Sequence, residues 1–319
     1  MNTGGAEPLL TITQRYTGKL FRRQLEGTFV RYLRVVTAFV MSLGVFIVVS
    51  LTSVPLASAV PTLVLCKTTM PTHEYTKGTL TVATDDPVYS PWFENNKPTN
   101  GKGYESALVY SLAGVLGIPK SHVKWVYEPF DSSYTPGTKH FDFDINEVSY
   151  TAARAKAVTF SVSYYDVNQS IVSLKTDKIV KDHTPAELKT YLYGDQIGTT
   201  GLAYINDYIK PTKAPRVYST LDQAVEALQL GQIDAIVIDT PTGQYMASSQ
   251  IMNAKKKLIA TQVGQFPSVG EHYGLLFSKG NPLVGCINDG LQALRSDGTL
   301  AKLQQKWLGI YTSVPTIQP

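Results

Sequence analysis

The chain has 319 residues, with 29 Lys+Arg against 25 Asp+Glu and a formal net charge of +4. That charge sits ahead of Val35, where Arg15, Lys19, Arg22, Arg23, Arg31 and Arg34 outnumber Glu7 and Glu26, so the remaining body is neutral. A neutral body with 43% hydrophobic residues argues against intrinsic disorder, and against a nucleic-acid binder, whose basic patch would lie on the folded domain.

Residues 1–34 form a basic segment expected to stay in the cytoplasm. No charged residue appears between Arg34 and Lys67, and Val35–Leu51 is almost wholly apolar. A helix of about 20 such residues spans a bilayer. Pro55 and the small-x-small stretch Ala57-Ser58-Ala59 follow, as signal peptidase requires. Residues 35–59 therefore read as the apolar region and cleavage site of a signal peptide, or as a membrane anchor if cleavage fails. With all the basic residues in front, the body is exported, to a periplasm or the outer face of the cytoplasmic membrane. The two cysteines, Cys66 and Cys286, both fall in the exported part. An even count in an oxidising compartment suggests one disulfide, the rival reading being a lipidated Cys66.

Along the body, residues 60–77 read as an irregular lead-in. Thr79–Thr84 is a short β-rich run ended by Asp85-Asp86-Pro87. A helix is predicted from Tyr104 to Leu116, with Leu108, Leu112, Val115 and Leu116 on one face and Gly117 as its stop. Val123–Tyr127 and Phe141–Ile145 alternate like strands. Thr184-Pro185-Ala186-Glu187 offers an N-cap and a capping-box glutamate, and Thr220-Leu221-Asp222-Gln223 opens a helix ending near Leu230. Ile233–Ile238 is a nearly continuous apolar strand, and Thr240-Pro241 begins a helix reaching about Ile251. Leu283, Ile287, Leu291 and Leu294 form one apolar stripe; Leu300, Leu303 and Trp307 form another. Strands alternating with helices predict a two-lobed α/β protein of roughly 230 residues.

Much chemistry is missing. His73, His122, His140, His183 and His272 are scattered without metal-ligand spacing, and no nucleophile elbow, phosphate loop or dinucleotide glycine motif occurs. No catalytic residue, cofactor or metal is expected. What stands out is a set of polar groups at strand ends, where open α/β sheets place ligands. Arg154, preceded by Ser149-Tyr150-Thr151, opens a helix and could cradle a carboxylate. Gln196-Ile197-Gly198-Thr199-Thr200-Gly201 makes a second anion cradle. Asp239 ends an apolar strand, where it could take an ammonium group or merely cap a helix.

Together these pieces resemble the extracellular solute-binding proteins, family 3 type, of amino-acid ABC transporters, a class that includes glutamine-binding and lysine/arginine/ornithine-binding proteins. The likeness runs from about Gly78 to Ile310. Its strongest stretch is Phe141–Ser161, with Ser149, Thr151, Arg154, Lys156, Val158, Phe160 and Ser161 in order, then Tyr164-Tyr165. Supporting matches are Thr84-Asp85, Pro91-Trp92-Phe93, Gly103-Tyr104-Glu105, Gly198-Thr199-Thr200, Gly231–Ala235, Asp239–Thr242, Asp297–Leu300 and Lys306–Gly309. Ala107 and Thr159 depart from the acidic residues usual at those places.

The resemblance implies a type II periplasmic-binding-protein fold, two α/β lobes joined by two hinge strands. The first lobe would comprise residues 78–163 and 270–310, the second residues 164–267, which puts Cys66 and Cys286 on one lobe and favours the disulfide. It implies that Arg154 clamps a ligand α-carboxylate, helped by Ser149, Gln196, Thr199 and Thr200. Asp239 and the Glu147 backbone would take the α-ammonium, with Asp85, Tyr89, Trp92, Phe130 and Glu147 as the pocket wall. The expected ligand is a free polar amino acid, glutamine or a basic one, and the expected partner is the membrane permease of an ABC transporter, served by a monomer without nucleic acid. Two other classes stay open: a cyclohexadienyl- or prephenate-type dehydratase on the same fold, and a membrane-anchored amino-acid sensor.

Overall fold

The computed structural model describes residues 60–182, 184–311 and 314–317. The basic segment 1–34, the apolar run with its Ala57-Ser58-Ala59 site, and His183 lie outside the described residues. Among the described residues no helix is long and apolar enough to cross a membrane.

The strands are β1 Leu80–Thr84, β2 Val123–Tyr127, β3 Phe143–Asp144, β4 Val158–Asp166, β5 Gln169–Leu174, β6 Gly194–Gln196, β7 Arg216–Tyr218, β8 Ala235–Asp239, β9 Ala260–Gln265 and β10 His272–Ser278. Five of them form one sheet in the order β2-β1-β3-β10-β4, and three form a second in the order β8-β5-β9. In the first sheet β2 and β3 run parallel to β1, with Leu80 opposite Val123 and Val82 opposite Phe143. Strands β6 and β7 pair in parallel, and Tyr193 bridges to Ala235 beside them. The chain passes from the first sheet to the second between β4 and β5, and back between β9 and β10.

Burial follows the apolar periodicity. Every residue of β1 is buried, as expected of a strand covered on both faces. Leu108 and Leu112 of the Tyr104–Val115 helix pack in one core with Leu283, Ile287, Leu291 and Leu294 of the Leu283–Ser296 helix. Across the second sheet, Ile171 and Val237 belong to one cluster, and Val172 and Ile236 to another. Gly103, ahead of the first of these helices, has φ 91°, and a Cβ there would stand 2.3 Å from the Trp92 carbonyl oxygen. Only glycine allows that approach. The predicted capping box forms at Thr184 with Glu187, and the helix expected to open at Thr220 carries one as well, Thr220 with Gln223.

Two elements differ from expectation. The lead-in holds a helix, Val60–Thr69, because Cys66 and Met70 bury against the first core and Cys66 is disulfide-bonded to Cys286 with Cα atoms 5.5 Å apart. The strand expected over 141–145 shrinks to Phe143–Asp144, since the following residues turn toward the space between the two sheets.

Candidate functional site

A cavity opens where the parallel strands end. Asp85 follows β1, Phe130 follows β2, and Asn146 and Glu147 follow β3; Gln196 closes β6 and Asp239 closes β8. All six line it, joined by Tyr89, Arg154, Gln169, Asp195, Thr199 and Thr200. Carboxyl ends of parallel strands gather ligands because loops there are free of the sheet and helix N-termini point inward.

Arg154 begins a one-turn helix, Arg154–Ala157, after which the chain enters β4 directly. The guanidinium is largely buried, donating to the Ser149 carbonyl at 2.8 Å and the Gly198 carbonyl at 2.9 Å. Its Cζ lies over the Tyr134 ring, 4.4 Å from the centroid, and 5.4 Å from that of Phe130. Burial lowers its pKa from the usual range. Opposite, Thr199 caps the Thr200–Tyr204 helix, accepting from the Leu202 N–H at 3.1 Å and donating to the Gln196 carbonyl at 2.9 Å. A helix start leaves backbone N–H groups without intrahelical partners. A planar cation and free amide donors together suit a carboxylate.

The other polar cluster is acidic. Glu147 has φ 55°, unusual for a residue with a Cβ, and its N–H donates to Glu105 Oε1 at 2.8 Å. Glu105 is fully buried, also accepts from the Tyr164 hydroxyl, and burial raises its pKa to about 8. Thr242 Oγ1 lies 3.1 Å from Glu147 Oε2 and 3.3 Å from Asp239 Oδ2. Gln169 Nε2 lies 3.3 Å from Asp239 Oδ1 and 3.1 Å from each Glu271 oxygen. Burial raises Asp239 to about 6, and pushes Glu147 and Asp195 well above the carboxylate range. Asp85 is also raised, by burial first. Carboxylates therefore outnumber cations in the lining: Asp85, Glu147, Asp195 and Asp239 stand against Arg154.

Nine of the eleven expected site residues line this cavity: Asp85, Tyr89, Phe130, Glu147, Arg154, Gln196, Thr199, Thr200 and Asp239. Trp92 does not. It is wholly buried, edge-on to Tyr104, Tyr165 and Tyr273, and its indole N–H donates to Thr242 Oγ1 at 2.7 Å. The core claims the large apolar ring, and Trp92 reaches the site only through Thr242. The Ser149 hydroxyl also turns away, donating to Glu271 Oε1 at 2.6 Å, while its carbonyl holds Arg154. Sequence reasoning missed Asn146, Gln169 and Asp195 of the lining, and Glu271, which is outside the lining but hydrogen-bonds to Gln169. Gln169 sits at the start of β5 and Glu271 beside β10, at the two crossings, where no periodicity singles out a polar residue. Among the described residues no group of three or more His, Cys, Asp or Glu could hold a metal ion.

Residues 80–310 match the family of bacterial extracellular solute-binding proteins, family 3. The chain belongs to this family. It is 26% identical to the L-cystine-binding protein TcyJ of Escherichia coli (strain K12) over 239 residues, 73% of this chain and 84% of that one. Among solved structures it is similar to an ancestral arginine-binding protein bound to glutamine, at 27% identity and a TM-score of 0.61, covering 73% of this chain and 99% of the other. It is also similar to the ancestral amino acid-binding protein AncCDT-1, a precursor of cyclohexadienyl dehydratase, at 27% identity and a TM-score of 0.57, covering 72% and 95%. The structural neighbours at 26% identity or more share the two-lobed α/β architecture expected for this chain. The Cys66–Cys286 disulfide expected from the cysteine count is present.

Proposed function

We propose that this solute-binding protein captures a free polar amino acid in the interlobe cavity, outside the cytoplasmic membrane, and delivers it to the permease of an ABC transporter. The observation that carries this reading is the composition of the lining: one guanidinium beside a helix start, and four carboxylates without a second cation. A zwitterion taken out of water needs both its charges matched, because an unpaired buried charge is costly. Arg154 with the Thr199 and Thr200 amides supplies the carboxylate partner, and Asp239 the ammonium partner. The surplus of acid on Asp85, Glu147 and Asp195 favours a side chain that donates, so a basic amino acid ranks ahead of glutamine, and both ahead of an acidic one.

Cross-cleft contacts support a closed, ligand-holding geometry. Tyr89 donates to Asp222 at 3.0 Å, Arg154 reaches Gly198, and Trp92 reaches Thr242. A ligand touching both lobes stabilises the closed form through its differential affinity. We read the chain as a receptor rather than an enzyme, in keeping with the names of its relatives. Thermal-shift assays of refolded protein with each common amino acid test the reading: arginine, lysine or glutamine should raise the unfolding midpoint and glutamate should not. A shift by glutamate alone would overturn the side-chain preference, and dehydration of a prephenate-like acid would overturn the receptor reading.

A further inference from the structure

The acidic end of the cavity has more acceptors than protons to satisfy them. Thr242 Oγ1 already accepts the Trp92 indole N–H, and it owns one hydrogen to donate. Two carboxyl oxygens compete for that hydrogen, Glu147 Oε2 at 3.1 Å and Asp239 Oδ2 at 3.3 Å. The Tyr273 hydroxyl can donate to Asp239, but Glu147 and Asp239 also lie against each other, and no outside donor fills the contact between the two carboxyls unless one of them carries a proton of its own.

The surroundings offer no countercharge. Glu147 is faced by Glu105 from its helix, Tyr164 of β4, Tyr273 of β10 and Tyr89. Asp239 is faced by Tyr165 of β4, Tyr273, Glu271, Asp195 of β6, and Gln169 of β5. None of these is a cation, and Arg154, the cation of the lining, is committed to the Ser149 and Gly198 carbonyls. Gln169 and Asp195, each 2% exposed, add one side-chain oxygen apiece that has no hydrogen-bond partner, Oε1 and Oδ2, in the same cavity wall. Unpartnered buried acceptors grouped around two carboxyls mark a place for a donor-rich cation.

We propose that Glu147 and Asp239 share one proton in the ligand-free protein, and that the cationic group of the incoming amino acid displaces it, which makes Glu147 a specificity-determining residue. This rests on the amino-acid-binding reading above and goes beyond it. Two carboxyls that share a dry site do not both ionise, and they titrate as a pair. An ammonium or guanidinium group supplies the positive charge that lets both ionise, so the proton leaves. Glu147 has a left-handed backbone whose N–H is pinned by Glu105, and its carboxyl meets that of Asp239 beside the shared Thr242 hydroxyl. Since binding expels a proton, affinity rises with pH, by up to about tenfold per unit while the pair still holds the proton.

The test is calorimetric titration of the protein at pH 7 with arginine, lysine and glutamine, in phosphate and in Tris, whose ionisation enthalpies differ. The expected result is release of about one proton per ligand bound, and a dissociation constant that falls steadily from pH 6 to pH 8. E147Q should abolish the release and flatten that pH profile; E147A gives the same readout should E147Q fold poorly. Equal heats in the two buffers, or undiminished release in a folded E147Q or E147A variant, overturns the shared proton while leaving amino-acid binding intact. Absence of binding by any amino acid overturns the functional reading and the shared proton with it.

Discussion

Tyr134 and Gly198 meet across the cleft so closely that a Cβ on Gly198 would stand 2.2 Å from the Tyr134 hydroxyl oxygen. Gly198 also has φ 77°, so it serves both a left-handed turn and an interlobe approach. Gly198→Ala is expected to hold the lobes apart. Ligand affinity should fall about tenfold or more, equivalent to about 1.4 kcal/mol, with the larger share in a faster dissociation rate. Surface plasmon resonance measures both; wild-type affinity would show that closure does not need this contact.

Arg154→Ala should weaken binding at least tenfold without unfolding the protein, since losing charge-assisted hydrogen bonds costs about 1.5–3 kcal/mol. Arg154→Lys should recover little. A lysine has no planar fork to sit over Tyr134 and reach the two acceptors that the guanidinium holds. Titration of the folded variants decides it, and unchanged affinity would remove Arg154 from the clamp.

Stability should decline as pH rises. Glu105 is raised to about 8, and Asp142 and Asp239 each to about 6, all by burial first. Each keeps its proton in the folded state at pH values where the unfolded chain has lost it. The folded state thus binds more protons, and the unfolding free energy falls between roughly pH 4.5 and 8. The thermal midpoint of ligand-free protein is expected to be higher at pH 5 than at pH 8, and Glu105→Gln, which cannot ionise, should flatten the upper part of that slope. A midpoint that climbs toward pH 8 would contradict this.

Reduction of the Cys66–Cys286 bond, or replacement of both cysteines by serine, should destabilise the protein by about 2–5 kcal/mol, because the bond closes a loop with a sequence separation of 220 residues. A midpoint lower by roughly 5–15 °C is expected. Neither cysteine lines the cavity, so affinity should stay at the wild-type level.

The fold was legible where burial imposes a period. Val123–Tyr127 forms the strand that its alternation predicts, and the stripe Leu283, Ile287, Leu291 and Leu294 is buried throughout. Capping residues fixed helix starts at Thr184 and Thr220. The site was legible where chemistry and position coincide, as at Arg154 and at Asp239 ending β8. Trp92 misleads because an aromatic ring with one polar atom suits a pocket wall and a core equally well. Glu105 escapes notice for the opposite reason: nothing in Gly103-Tyr104-Glu105 announces a wholly buried carboxyl that accepts from a backbone N–H 42 residues away. Gln169 and Glu271 become neighbours only when the two crossings come together.

The most direct measurement is calorimetric titration of the protein against the twenty amino acids, after unfolding and refolding to strip any carried-over ligand. The account predicts tight binding of one or two polar amino acids, with a basic one foremost, at a micromolar dissociation constant or about −8 kcal/mol. A folded protein that binds none of the twenty would contradict it.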